Sequence, residues 1–164
     1  MSLWTPAGNF LLGQAIADVS ATPQHKVGTV VQCDHPDHGA GEFIYLKGAA
    51  ATAVGSWVTY NMDDGSTTRL AANAVGPVAV AMAATVAGLY GWYQVEGKAV
   101  GKALAGFVDD ANVYATATAG SVDDTVVAGD RVKNAKGASA VGTPSAGLAE
   151  FEISRPWMDD GLAA

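Results

Sequence analysis

Gly88-Leu89-Tyr90-Gly91-Trp92-Tyr93-Gln94-Val95-Glu96-Gly97 is the stretch that decides the fold class. Aromatic and β-branched side chains alternate there with glycine and polar residues at the two-residue repeat of a strand. The stretch ends a segment that carries no charged side chain between Arg69 and Glu96. Leu70 to Gln94 is long enough to raise the question of a membrane span. Gly76, Pro77, Gly88 and Gly91 interrupt it, alanine supplies most of its apolar character, and basic flanks are missing. A buried strand pair accounts for it better, and no membrane partner is expected.

The neighbouring segments are also β in character. Lys98 to Ala103 continues the strand beyond Gly97, where a bulge or bend is expected. Val27 to Val31 and Glu42 to Leu46 are β-rich runs around a turn-forming loop, Asp34-His35-Pro36-Asp37-His38-Gly39. Trp57 to Tyr60 and Thr67 to Leu70 flank Asp63-Asp64-Gly65, a hairpin signal because Asp-Gly tolerates positive φ. Val78 to Met82, Val113 to Thr116, Thr125 to Val127 and Arg131-Val132 follow as short strands, and Gly137 to Ser145 reads as a loop. In the closing strand, Gly147 to Ile153, Leu148, Glu150 and Glu152 share one side while Ala149, Phe151 and Ile153 share the other. The pattern predicts an all-β fold, a compact β-barrel or β-sandwich of about eight to ten short strands.

The expected organisation is an N-terminal arm over residues 1–25, a β domain over 26–156 and a C-terminal tail over 157–164. Phe10, Leu11, Leu12, Ala15, Ile16 and Val19 have a spacing that forms a short amphipathic helix if a partner surface supports it. Trp4 and Trp157 lie outside the strong strand pattern, near the two ends. Trp4, Phe10, Leu11, Leu12, Ile16 and Trp157 are therefore the candidate partner-binding residues, capsid- or neighbour-contacting in the arm. The competing reading is that they cover the ends of their own domain. Deleting residues 1–20 is expected to leave the β domain folded and to weaken attachment or oligomer formation.

Hydrophobic residues make up 49% of the 164, much of it alanine, and charged residues only 15%, against about a quarter in ordinary domains. A surface so poor in charge and rich in Ala, Thr, Ser and Gly suits broad contact with other subunits. The formal net charge is −7, from 9 Lys and Arg against 16 Asp and Glu, with no basic cluster. That field repels nucleic acid, so no nucleic-acid partner is expected. Cys33 stands alone, which excludes an internal disulfide and suits a reducing cytoplasm. The first residues lack the basic and apolar regions of a secretory signal.

No catalytic set emerges. Cys33, His35 and His38, with Asp34 and Asp37 between them, are the nearest approach to a metal cluster. Zinc takes about four ligands, and the fourth is missing unless His25 returns. A solvated turn is the simpler reading, so no metal or other cofactor is expected. Asp63-Asp64, Asp109-Asp110, Asp123-Asp124 and Asp159-Asp160 lack the alternating ligands of a calcium loop, and adjacent acids diverge too far for glycosidase pairing. No serine stands in a nucleophile elbow and no glycine-rich phosphate loop precedes a helix, so no enzyme activity is expected.

Five segments occur in an order that resembles a known family: Gly41 to Gly48, Gly76 to Ala81, Gly91 to Gly97, Ala117 to Asp124 and Thr143 to Ala149. They look like the small head proteins of tailed bacteriophages that decorate, or cement, the capsid. The likeness spans residues 27 to 156 and includes no catalytic motif. It implies a virion protein, made in the host cytoplasm, that binds the outer capsid surface between capsomers and stabilises the mature shell. Its implied partners are the major capsid protein and further copies of itself, a trimer before a dimer.

Two other functions fit the residues. One is a β-sandwich carbohydrate- or receptor-binding module on a virion, with Trp92, Tyr90 or Trp57 as a stacking platform. The other is a metal-dependent enzyme built on Cys33, His35 and His38.

Overall fold

The computed structural model describes residues 3–8 and 12–159. Its strands are β1 (Thr5–Pro6), β2 (Val19–Ser20), β3 (Val30–His35), β4 (Gly39–Lys47), β5 (Trp57–Tyr60), β6 (Thr67–Arg69), β7 (Val78–Ala81), β8 (Tyr90–Lys102), β9 (Asn112–Ala115), β10 (Val122–Asp123), β11 (Arg131–Gly137) and β12 (Leu148–Met158). The fold is all-β, as expected, and the strands form one antiparallel sheet. Its main path runs β1-β3-β4-β8-β12-β11-β9-β10. Off that path β2 and β7 pair with β8, β5 pairs with β7, and β6 with β5. The sheet is not closed into a barrel.

β8 is the hub because it is long enough to serve two partners in succession. Tyr90 to Glu96 pair with β4, and Glu96 to Lys102 pair with β12. The change falls at Gly97, where φ is +100°. A side chain there would collide with the carbonyl of Ala40, so glycine is required at the bend.

Alternation along the strands sorts the apolar residues into three layers. Phe43, Tyr45 and Trp92 pack with Trp4, Ile16 and Cys33 on one face of β4 and β8. Ile44, Leu46, Tyr93 and Val95 point the other way and meet Val58, Ala79 and Ala81 of β5 and β7. The opposite faces of those two strands, Trp57, Val78 and Val80, join Ala99, Phe107, Val132, Phe151, Ile153 and Met158 in the largest cluster. All four residues of β7 are therefore buried, which explains why Val78 to Ala81 shows no alternation in sequence.

The start of the chain departs from expectation. The described residues of 12–25 contain no helix. Instead β1 adds to β3 and β2 adds to β8, while Trp4 and Ile16 enter the core. Main-chain pairing and aromatic burial replace the marginal helix. At the other end β12 runs through Trp157 to Met158, so the expected tail boundary at 157 falls inside a strand. Thr125 to Val127 is not a strand either. Val122–Asp123 pairs with β9 in its place, because Val122 finds a buried position and Val126 does not.

Candidate interaction surface

The connections at 48–56, 82–89, 116–121 and 138–147 contain no charged residue, and the one at 103–111 carries charge only near its end, at Asp109 and Asp110. They consist of Ala, Gly, Ser and Thr with a few larger apolar residues, and Val54, Val86 and Val108 are exposed. These loops are fastened to one another through main-chain hydrogen bonds. Gly48 N–H donates to Leu89 O at 2.8 Å and Ala49 N–H to Thr85 O at 3.2 Å, joining the first two. Lys102 N–H donates to Gly55 O at 2.8 Å, Ala103 N–H to Gly147 O at 3.1 Å and Val141 N–H to Phe107 O at 3.0 Å. Trp57 N–H donates to Gly120 O at 3.0 Å, bringing in the 116–121 loop. The result is a charge-poor apron, linked in part through the strand residues Lys102 and Trp57, with Asp109, Asp110 and Asp124 at its edge by Val108. Cross-bonded loops lose little freedom when covered, and a surface poor in charge has little charge to desolvate.

Charge is concentrated elsewhere, on β4, β8, β11, β12 and their flanks. Lys98 pairs with Glu150 at 2.7 Å, Lys133 with Asp159 at 2.7 Å and Lys136 with Asp110 at 2.7 Å. Arg155 pairs with Glu42 and lies 4.0 Å from Glu96. The exposed pairs among these contribute about 0–1 kcal/mol each, so they mark a solvated face more than a stabilising one; Lys98 and Glu150 are half-buried.

The candidate anchors separate into two groups. Trp4 is buried against Phe43, with ring centroids 4.8 Å apart, and Ile16 has no exposed surface. Both serve the chain's own core. Leu12 packs against the same cluster, and Phe10 and Leu11 lie outside the described residues. Trp157 is half exposed. It stands opposite Lys133 on β11 and bridges to Pro77, with exposed Met62 and Val75 beside the same Tyr60–Pro77 hollow.

The rings considered as a sugar platform do not provide one. Trp57 and Trp92 are 0% exposed. Trp57 meets Phe151 edge-on at 4.9 Å, and Trp92 packs against Tyr45 at 4.9 Å. Tyr90 is half-buried and stacks towards Tyr45.

Cys33 lies in the core, and burial, with Asp34 adding to it, pushes its thiol up to about 11. His35 and His38 face Trp4, whereas His25 packs on Tyr45 and Trp92, so the four side chains do not converge. Among the described residues no three His, Cys, Asp or Glu side chains are grouped as metal ligands. The acidic pairs serve local structure. Asp124 accepts the Val108 N–H at 3.0 Å, and Asp123 accepts the Thr125 hydroxyl at 2.9 Å. Hydrogen bonds from Ser66 hold the Asp64 carboxyl below its ordinary range. Sequence reasoning missed the buried Asp130, which accepts the Asn73 N–H at 2.6 Å.

No family model, curated protein or solved structure matches this chain.

Proposed function

We propose that this chain is a non-catalytic adhesive protein that decorates the exterior of a mature phage capsid and stabilises it between capsomers. The observation that carries the reading is the charge-poor apron of cross-bonded loops with exposed Val54, Val86 and Val108. A cement protein acts by binding the assembled lattice and not its dissociated subunits, which is stabilisation by mass action. It needs area and repetition, and no reactive group. Several copies on a symmetric shell multiply modest contacts into avidity. The resemblance of the segments from Gly41 to Ala149 to phage head proteins supports the same reading. On it, the apron faces the major capsid protein, the ion-paired strands face water, and Trp157 is available to a neighbouring copy.

Co-sedimentation tests the proposal. Purified protein should pellet with expanded heads, raise the temperature at which they disrupt, and bind unexpanded heads poorly. Equal binding to both forms, or binding to neither, overturns it.

A further inference from the structure

β1 is held to the rest of the molecule by very little main chain. Thr5 and Pro6 lie opposite Asp34 and Cys33, and Ala7 N–H donates to Gln32 O at 2.9 Å. Beside these, the indole of Trp4 anchors it, packed on Phe43 and against two histidines. The ring centroid of Trp4 is 4.9 Å from that of His35 and 6.2 Å from that of His38, and the two imidazoles are 4.4 Å apart. Nδ1 of His35 accepts two main-chain hydrogen bonds, from Asp37 N–H at 3.0 Å and His38 N–H at 3.2 Å. Both need a lone pair on that nitrogen, so both require a neutral ring with Nδ1 unprotonated. Nδ1 of His38 is itself buried with no hydrogen-bond partner in the structure.

We propose that His35 and His38 form an acid-released latch that holds the N-terminal strand against β3 at neutral pH and frees it in mild acid. A proton on Nδ1 of His35 turns an acceptor into a donor facing two N–H groups. The turn that supports both rings then loses its two bonds. Desolvation and the neighbouring His38 lower the pKa of His35, while Asp37 pulls in the opposite direction. Asp34 on β3 is the other nearby charge. The partner of His35 from β1, Trp4, is uncharged, and Gly39 stands opposite His35 on β4.

The direction follows from linkage. Because the docked ring resists protonation, docking is strongest above the ordinary histidine value. It weakens as pH falls from there to the lowered value of the docked ring. This inference goes beyond the adhesive reading and stands independently of it.

Hydrogen exchange at the Ala7 amide, between pH 7.5 and 5 and corrected for intrinsic rates, is the test. Its protection should fall by about threefold or more across that interval, relative to the amides of β12. His35→Asn supplies an oxygen that can accept the same two bonds without taking up a proton, so it should flatten the dependence. Constant protection in the wild type, or an unchanged pH dependence in H35N, overturns the proposal. If H35N does not fold, imidazole 15N shifts of the wild type decide. His35 must take up its proton over the interval in which Ala7 opens, and opening with His35 still neutral sinks the latch.

Discussion

The hydroxyl of Tyr45 donates to Oε1 of Gln14 at 2.6 Å, although the two residues are 31 positions apart. The same Gln14 side chain donates through Nε2 to the carbonyls of Asp18, at 2.8 Å, and Tyr90, at 3.1 Å. Its own carbonyl accepts from Nε1 of Trp92 at 2.9 Å. One buried amide therefore ties the N-terminal segment to β4 and β8.

Gln14→Leu keeps the bulk but takes the acceptor from the Tyr45 hydroxyl, which retains only the bond it accepts from the Gln24 N–H, and a donor from two part-buried carbonyls. Each unsatisfied group costs about 1–3 kcal/mol. Urea unfolding should show a loss in that range or larger, and a change within error would mean that other groups take over the bonds. Deleting residues 1–20 removes Trp4, Gln14 and Ile16 together. In place of the folded domain expected from sequence, the truncated chain should lose cooperative unfolding.

Gly48→Ala tests the seam between the first two loops of the apron. A methyl group there would collide with the carbonyl oxygens of Thr85 and Val86. Backbone cannot swing aside as a flexible side chain would, so the loops must part. Destabilisation of about 1–3 kcal/mol is expected, together with weaker shell binding. Full stability in thermal melts would show that the seam can open freely.

Val54→Asp with Val86→Asp places charge on the apron without touching the core. Both residues are exposed, so stability should change by no more than about 0.5 kcal/mol per site. Affinity for expanded heads should drop by about tenfold or more if those charges must be desolvated. Wild-type binding by the double variant would remove the apron from the contact.

The thiol of Cys33 should be inert in the native state. Its pKa rises from the ordinary 9.0 to about 11, so little thiolate exists at pH 8 and the sulfur is buried as well. Reaction with a disulfide reagent should follow unfolding. The native fold binds this proton more tightly than the unfolded chain, so stability should decline as pH climbs from 9.0 towards 11. Fast labelling at pH 8 in the absence of denaturant would contradict both points.

Strands with regular alternation were legible, and those shaped by tertiary contacts were not. Ala149, Phe151 and Ile153 alternate with polar residues and are buried as their parity requires. That parity breaks at Arg155, where φ is +45° and the pairing with β11 shifts register. Pro156 and Met158 consequently turn inward and Trp157 outward. No composition rule distinguishes this tryptophan from Trp4, which is buried because Phe43 and two histidines happen to lie beneath it. The N-terminal segment was misread for a related reason. Its apolar spacing suits a helix, but the residue that fixes it is the polar Gln14, which hydrophobic patterning assigns to solvent. As for the apron, the scarcity of charge in the loops was visible in sequence, whereas the hydrogen bonds that join the loops depend on strand register.

Because β7 is enclosed on both sides, it has no wet face on which to wait during synthesis. One of its two apolar environments includes Phe151 and Ile153, which belong to β12, about seventy residues further along the chain. The nascent chain must keep β7 unfinished until β12 emerges. Fragments that stop short of β12 should be sticky intermediates and not smaller stable proteins.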